Sequence, residues 1–203
     1  MQHLSDIILS QMPESPQQQR SQVRIRRALE AADQLLRAGG PEACSIPEVA
    51  KAADVPRAAI YRYFPDRAAL LAAMAAASMD QLGGVIRAAL EALPPSSPAG
   101  LFESAVAETV RFFNDDPVAS TLQFNGPFGV IDRETHHRKS DLLIETMLPR
   151  LPAGMSAQTL ALTIEIIFAC LRYGYFRDGR VTQAIAAEAL RAANAFLGVG
   201  RCE

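Results

Sequence analysis

Residues 45–70 read SIPEVAKAADVPRAAIYRYFPDRAAL, and the fold is best inferred from these residues. Its opening, Ser45-Ile46-Pro47-Glu48, is typical of a capping box, in which the serine oxygen and the glutamate carboxylate accept hydrogen bonds from the free amides at a helix start. Pro56 suits the first turn of a helix, where its missing N–H does no harm, whereas Pro65 ends one. Asp66 can then cap the next helix. The stretch therefore predicts two short helices joined by a turn and followed by a longer helix.

The apolar residues of this stretch indicate how the two short helices pack. Val55, Ile60 and Phe64 recur at spacings of five and four, so they share one side of the second short helix. They can form a small core with Leu29, Leu35, Ile46 and Val49. The opposite side carries Arg57, Ala58, Tyr61 and Arg62. This pattern predicts a helix-turn-helix, whose last helix packs on the domain with one face and enters the DNA major groove with the other.

The exposed side of the second short helix has the chemistry that DNA recognition requires. Arg57 lies in the first turn, where its guanidinium can donate two hydrogen bonds to guanine O6 and N7. The hydroxyls of Tyr61 and Tyr63 can donate to phosphate oxygens, while the small Ala58 allows close approach. A solvated arginine and two half-buried tyrosines are the ordinary interpretation of each residue taken alone.

Residues 24–82 resemble the DNA-binding domain of the TetR family of transcriptional regulators. The run from Tyr61 to Leu70 is similar to the family signature of an aromatic pair, a phenylalanine, a basic residue and a leucine. The resemblance implies that Arg57 reads bases and that Arg67 and Ser45 meet phosphates. It also implies DNA contacts from Ala58, Tyr61 and Tyr63, and a homodimeric regulator, in most cases a repressor, that a small molecule releases from a palindromic operator.

Three positions depart from the family pattern. Asp54 stands where glycine is usual in the turn, Pro56 replaces a capping serine, and Ala59 replaces a frequent threonine. Aspartate tolerates the left-handed region better than most residues, so we expect the turn to form. The lost hydroxyls leave an alternative open, namely a helical protein that binds small molecules and has lost specific DNA binding.

The charge of the chain is unevenly distributed. The 203 residues include 20 Lys and Arg against 22 Asp and Glu, and the net charge of −2 by itself argues against a nucleic-acid partner. Residues 20–67, however, contain nine basic and six acidic side chains, a net charge of 9 − 6 = +3. The basic excess therefore lies in the predicted DNA-binding region, and the arginines at 20, 24, 26 and 27 could reach the DNA backbone or minor groove.

The rest of the chain predicts an all-α fold of about nine helices. Helical periodicity continues to the end, with Pro and Gly clustered between the periodic segments. Predicted helices cover Ser21–Ala38, 46–53, Pro56–Tyr63, 67–92, Gly100–Asn114, Pro117–Phe124, Asp132–Leu148, Ala157–Arg177 and Thr182–Leu197. We expect three regions: a flexible leader (1–20), a helix-turn-helix domain (21–67) and a larger helical domain for ligand binding and dimerisation (68–203).

The larger domain offers two further predictions. Apolar residues at three- and four-residue spacing on the last two helices could form a dimer interface or only an internal core; they are Leu160, Ile164, Ile167 and Leu171, then Ile185, Ala189, Ala192 or Ala193, and Phe196. By the resemblance, a largely apolar effector would meet some of Phe112, Phe113, Phe124, Phe128 and Phe168, although plain core packing is the ordinary role of each ring taken alone. Arg172, Arg111 or Glu165 could supply a polar anchor.

Other functional classes receive little support. The adjacent His136 and His137 diverge by about 100° on a helix, so they do not readily ligate one metal ion, and phosphate-binding loops and nucleophile motifs are not found. We therefore expect no enzyme activity, metal or cofactor. Three widely spaced cysteines suit a reducing compartment, and uninterrupted apolar runs fall short of a membrane span. These features predict a cytoplasmic protein.

Overall fold

The computed structural model describes residues 4–10, 16–93, 98–124, 141–151 and 154–198, and the regular structure in these ranges is entirely helical. The predicted all-α class is confirmed. The helices are α1 (Leu4–Ser10), α2 (Pro16–Ala43), α3 (Ile46–Ala53), α4 (Arg57–Tyr61), α5 (Arg67–Glu91), α6 (Pro98–Asp115), α7 (Pro117–Phe124), α8 (141–147), α9 (Ala157–Asp178) and α10 (Gln183–Leu197), with a 3-10 turn at Leu148–Arg150.

Side-chain caps begin α3 and α5, whereas α4 starts after Pro56 without a side-chain cap. The Ser45 hydroxyl oxygen accepts a hydrogen bond from the Glu48 amide at 3.3 Å, which satisfies one of the free donors at the start of α3. Asp66 Oδ1 accepts from the Ala69 amide at 2.7 Å, so the predicted cap of α5 is confirmed. Only the serine half of the predicted capping box forms, since the Glu48 side chain makes no return bond in the described structure.

Gly40 interrupts the second helix. Its φ of 68° and ψ of −169° are accessible to glycine but strained for residues with a Cβ, and a short turn through Pro41 to Ala43 follows. The sequence predicts that this helix ends at Ala38, two residues before Gly40. The helix begins at Pro16, which lies inside the region predicted as a flexible leader.

The prediction of a flexible leader is also wrong for residues 4–10. These residues form α1, and Ile8 and Leu9 are buried in the same apolar cluster as the helix-turn-helix core. Asp6 makes an ion pair with Arg26 of α2. The glutamines and prolines of the leader concealed this short apolar segment, whose burial offsets the entropy of ordering it.

The chain divides into two compact units at different positions from those predicted. The N-terminal unit comprises Met1–Gln81 with Pro117–Asp132, and the C-terminal unit comprises Leu82–Asp116 with Arg133–Glu203. The predicted boundary at residue 67 is too early because the first turns of α5 bury Leu70, Leu71 and Met74 in the helix-turn-helix core. Val118 and Leu122 of α7 join the same core, so this helix belongs to the N-terminal unit.

Close packing of α9 on α10 organises the C-terminal unit. A Cβ added to Gly174 would lie 2.9 Å from Cγ2 of Ile185, so the helices meet where there is room only for glycine. Thr182 caps α10 by accepting from the Ile185 amide at 3.4 Å. The connection between the two helices is tied to α6, because the Asn114 side chain exchanges two hydrogen bonds with the backbone of Val181.

Two helices, α5 and α9, are long and apolar enough to cross a membrane when length and composition alone are considered. Half of the apolar window in α5 (50%) and 39% of that in α9 are buried within the protein. Because the core helices of water-soluble proteins have the same length and composition, this is weak evidence for a membrane span.

Candidate nucleic-acid interface

The short helix α4 has one buried and one exposed side. Ile60 is fully buried, and Val55 and Phe64, at either end of the helix, also lie in the core of the N-terminal unit. This confirms the predicted core, of which Leu35 is the one partly buried member. The exposed side carries Arg57, Ala58, Tyr61 and Arg62. The helix therefore presents the surface that a recognition helix needs.

Asp54 forms the turn that positions α4. Its φ of 51° and ψ of 53° place it in the left-handed region, and it is the one non-glycine residue with positive φ in the described chain. The following amide, that of Val55, donates to the Ala50 carbonyl at 3.0 Å and directs the chain into α4. The Asp54 carboxylate is 97% exposed and lies 3.6 Å from Arg27. The turn thus forms without the usual glycine, as expected.

Three cations of this unit, Lys51, Arg57 and Arg62, have no carboxylate within ion-pair distance in the described residues. All three are exposed. The Arg62 guanidinium lies 5.8 Å from the centroid of the Tyr63 ring, a distance at which a cation and an aromatic face attract each other. Positive charge on and beside α4 is therefore available to an anionic partner.

Tyr63, which was predicted to contact DNA, is engaged inside the unit. Its hydroxyl lies 2.9 Å from the Ser21 hydroxyl, and Ser21 is buried on α2. The ring is only partly exposed and packs against the core. In this conformation Tyr63 joins α2 to the chain after α4, whereas Tyr61 is 45% exposed and free to meet another molecule.

Arg67 is held by a carboxylate that the sequence analysis did not identify. Its two terminal nitrogens donate to the two oxygens of Glu42, at 2.8 and 3.3 Å. The hydrogen bonds and charge of Arg67 lower the pKa of Glu42, and the Glu42 bond raises the pKa of Arg67. Nearby, burial raises the pKa of the Cys44 thiol to about 11, an effect that the Arg67 charge partly opposes. The partners are 25 positions apart in the sequence, so no local pattern reveals the pair.

Other arginines of the N-terminal unit are paired as well. Arg26 meets Asp6, and Arg37 donates to Asp33 one helical turn away at 2.7 Å. Of the arginines at 20, 24, 26 and 27 that were predicted to reach DNA, Arg26 and Arg27 thus have carboxylate partners within the unit. Ser45, the remaining predicted phosphate contact, is half-buried, and its hydroxyl caps α3.

Three of the residues predicted to bind a ligand lie together in the C-terminal unit. Phe113 makes edge-to-face contacts with Phe112 and Phe168, with ring centroids 5.4 and 6.1 Å apart, and all three lie buried in the C-terminal unit. Phe124 is buried in the N-terminal unit, and Phe128 lies outside the described residues. Arg172 is exposed on α9 because its neighbour Leu171 takes the inward position, so an internal anchoring role is not supported.

The apolar residues of α9 that were predicted as a possible dimer interface pack inside the subunit instead. Leu160, Ile164, Ile167 and Leu171 are all buried within the subunit, as are Ala189 and Ala193 of α10. The open alternative of an internal core is therefore correct for these residues. A second apolar face of α9 is exposed, with Leu162 at 48%, Tyr173 at 58% and Phe176 at 62%.

The described residues contain no cluster of His, Cys, Asp and Glu that could hold a metal ion. His136 and His137, which the sequence analysis considered for such a site, lie outside the described ranges.

Comparison with known proteins agrees with this geometry. Residues 28–74 match the family model described as bacterial regulatory proteins, tetR family, so the predicted resemblance is confirmed. The sequence matches no curated protein. A TetR-family regulator from Streptomyces coelicolor is 22% identical with a TM-score of 0.69, covering 89% of this chain and 99% of its own.

Two further solved structures have the same fold. A TetR regulator from Rhodococcus sp. RHA1 is 20% identical with a TM-score of 0.67, covering 92% of this chain and 100% of its own. FadR of Thermus thermophilus, a TetR-family repressor in complex with lauroyl-CoA, is 21% identical with a TM-score of 0.66, covering 87% and 95%. At these identities the likeness concerns the fold.

Proposed function

We propose that this chain, whose N-terminal domain matches the TetR family, is a DNA-binding transcriptional regulator. It acts in the cytoplasm as a repressor that a small, largely apolar effector releases from a palindromic operator, and it has no enzyme activity. The observation that carries this proposal is the exposed side of α4. There Arg57 and Arg62 have no carboxylate partner among the described residues, while Ile60 fixes the opposite side in the core.

Arg57 is the residue on which specific recognition depends. It begins α4 with its side chain exposed, and in the part of the chain that the structure describes no acidic residue pairs with its guanidinium. A bidentate contact with guanine discriminates against other bases by about 1–3 kcal/mol, so its loss weakens operator binding about fivefold or more. Phosphate contacts from Arg62 and Tyr61 add affinity that does not depend on sequence.

The test measures binding of the purified protein to duplex DNA from its own promoter region. Fluorescence anisotropy gives the affinity at two salt concentrations. We expect specific binding that weakens as salt rises and that is lost or strongly reduced in Arg57→Ala. Arg87→Ala is the matched control, since Arg87 is also an exposed arginine and belongs to the C-terminal unit. Absence of specific binding, or equal effects of the two substitutions, would refute the proposal.

An apolar effector suits the interior of the C-terminal unit. The Phe112, Phe113 and Phe168 rings lie together, and no ionised side chain is buried in the described residues. A charged group would lose its hydration in such surroundings without a counter-ion. The complex of the Thermus thermophilus relative with lauroyl-CoA supports a ligand with an apolar portion. Native mass spectrometry of the purified protein would reveal such a ligand if it co-purifies.

The proposed regulator is a homodimer joined through α9 and α10, with the exposed face of α9 at its centre. Leu162, Ile166, Ala169, Tyr173 and Phe176 follow one another at spacings of four, three, four and three. These are the spacings of a seam between paired helices. If two α9 helices pair antiparallel about Ala169, Leu162 of each meets Phe176 of the other, as two-fold symmetry requires.

The alternative function is a small-molecule-binding protein that does not recognise DNA specifically. It is favoured by the internal engagement of two predicted DNA contacts, Tyr63 with Ser21 and Arg67 with Glu42. Linkage separates the two functions, because an effector that releases DNA must itself bind more weakly when operator is present. Effector affinity that is the same with and without operator DNA would favour the alternative.

A further inference from the structure

Resting on the proposed DNA-binding function, we infer that Glu42 is an internal competitor for DNA phosphate at Arg67 and thereby lowers the affinity of the N-terminal unit for DNA. In the free protein the Glu42 carboxylate occupies the guanidinium edge that a phosphate would take. Binding of DNA exchanges one oxyanion for another at this position.

The geometry of the pair supports exchange. Nη1 and Nη2 of Arg67 donate to separate oxygens of Glu42, at 3.3 and 2.8 Å. This fork is the arrangement with which an arginine also binds two oxygens of a phosphate. Arg67 lies in the first turn of α5, at the end of the segment that follows the recognition helix α4.

The pair is also placed so that Glu42 can leave. The Glu42 side chain is 89% exposed, whereas that of Arg67 is 34% exposed. Glu42 has no other side-chain partner in the described residues, and water replaces its hydrogen bonds when it swings away. A surface ion pair of this kind contributes little to folding. Displacement therefore has a low cost, and Arg67 remains in place while its partner changes.

The opposite role for Glu42, that of positioning Arg67 for DNA, is disfavoured by charge. If Glu42 stayed bonded while a phosphate approached the remaining N–H groups, two anions would share one guanidinium. Their repulsion in the partly desolvated interface would weaken the contact. A carboxylate that moves away avoids this repulsion, so competition is the role that the geometry favours.

The test compares Glu42→Gln with Glu48→Gln on two duplexes, promoter DNA and an unrelated sequence at low salt. Glu48 is an exposed carboxylate of α3 that forms no ion pair in the described residues, so its substitution removes the same charge without releasing Arg67. We expect Glu42→Gln to tighten binding about three- to fivefold on both duplexes, since phosphate contacts do not depend on sequence. Glu48→Gln should have a clearly smaller effect.

A second experiment, in a protein that lacks the Arg67 side chain, tests whether the effect of Glu42 depends on its pairing with Arg67. In the Arg67→Ala protein the gain from Glu42→Gln should disappear, because the cation for which Glu42 and phosphate compete is gone. Unfolding curves of each variant establish that the fold is intact. Weaker DNA binding by Glu42→Gln would identify a positioning role and overturn the inference. Equal gains in the Glu42 and Glu48 variants would overturn it too, because they would indicate only long-range charge.

Failure of this inference can be distinguished from failure of the proposed function. Operator specificity and its loss in Arg57→Ala test the function, whereas the Glu42 effect also appears on unrelated DNA. If the protein binds both duplexes equally, the proposed function fails and the comparison of the Glu42 and Glu48 variants still decides the role of the pair. If it binds neither duplex, both proposals fail.

Discussion

Ser78 is a buried residue whose side chain is not satisfied. It lies on α5 with 2% of its surface exposed, and its hydroxyl oxygen is the one buried side-chain polar atom without a hydrogen-bond partner in the described residues. The other buried hydroxyls in the described ranges have partners; those of Thr109 and Thr163, for example, donate to carbonyls one helical turn earlier. A buried polar group without a partner costs stability.

We therefore predict that Ser78→Ala stabilises the protein. The substitution removes an unsatisfied hydroxyl and improves helix propensity, so the free energy of unfolding should rise by about 1 kcal/mol. Urea denaturation followed by circular dichroism measures this change. Thr109→Val, which removes a hydroxyl with a partner, is the control and should give no gain. A loss of stability in Ser78→Ala would mean that the hydroxyl has a partner in solution, such as a bound molecule.

Single residues also show why the candidate DNA interface is only partly predictable from the sequence. The outward side of α4 follows from the spacing of Val55, Ile60 and Phe64, which the sequence displays directly. The engagement of Tyr63 with Ser21 and of Arg67 with Glu42 joins residues 42 and 25 positions apart. Periodicity does not report contacts at such separations, so only the folded structure identifies these partners.

At the level of helices, Asn114 connects the end of α6 to the turn between α9 and α10. Its Nδ2 donates to the Val181 carbonyl at 2.8 Å, and its Oδ1 accepts from the Val181 amide at 3.0 Å. Val181 is buried, so few water molecules can replace the side chain. The Asn114 side-chain amide therefore satisfies both the N–H and the C=O group of Val181, which form no hydrogen bonds within a helix.

We predict that Asn114→Ala lowers the free energy of unfolding by about 2 kcal/mol, because it leaves both buried groups of Val181 without partners. Chemical denaturation monitored by circular dichroism measures the loss. Asn194→Ala is the matched control, since Asn194 lies on α10 and its side chain makes no hydrogen bond in the described structure. Equal stability of the two variants would show that water satisfies Val181 in the absence of Asn114.

Helix boundaries were predicted well where a side chain or a glycine determines them. Ser45 and Asp66 cap the helices that the sequence assigned to them, and Gly40 interrupts α2 close to the expected position. The helix α1 was missed because it is short, and it is held by Ile8 and Leu9 packing into a core formed far along the chain. Local signals thus predict where helices begin and end, but they do not predict which segments pack into the core.

For the whole molecule, the sequence leaves open which apolar face of α9 packs inside the subunit and which meets another molecule. The sequence contains two apolar patterns on this helix, offset around its circumference, and periodicity alone cannot distinguish a face that packs internally from one that meets another subunit. Burial separates them. The Leu160 pattern is internal, and the face of Leu162, Tyr173 and Phe176 remains exposed. An exposed apolar face of this extent is typical of an interaction site.

If that face joins two subunits, a charge within it should separate them. Phe176→Asp places a carboxylate opposite Leu162 of the partner subunit, where desolvation is costly, and we predict a change from dimer to monomer. Analytical ultracentrifugation distinguishes the 21.9 kDa chain from a species of twice that mass. Val23→Asp, at an apolar residue of the N-terminal unit with 59% exposure, is the matched control and should remain dimeric.

The same variant connects assembly to recognition. A dimer that binds both halves of a palindromic operator gains affinity because its second contact is intramolecular. Phe176→Asp should therefore bind the full operator only as tightly as a single half-site, although Arg57 and the rest of α4 are unchanged. A Phe176→Asp protein that remains dimeric would place the interface elsewhere. A monomeric variant that still prefers the full operator would show that recognition does not depend on this face of α9.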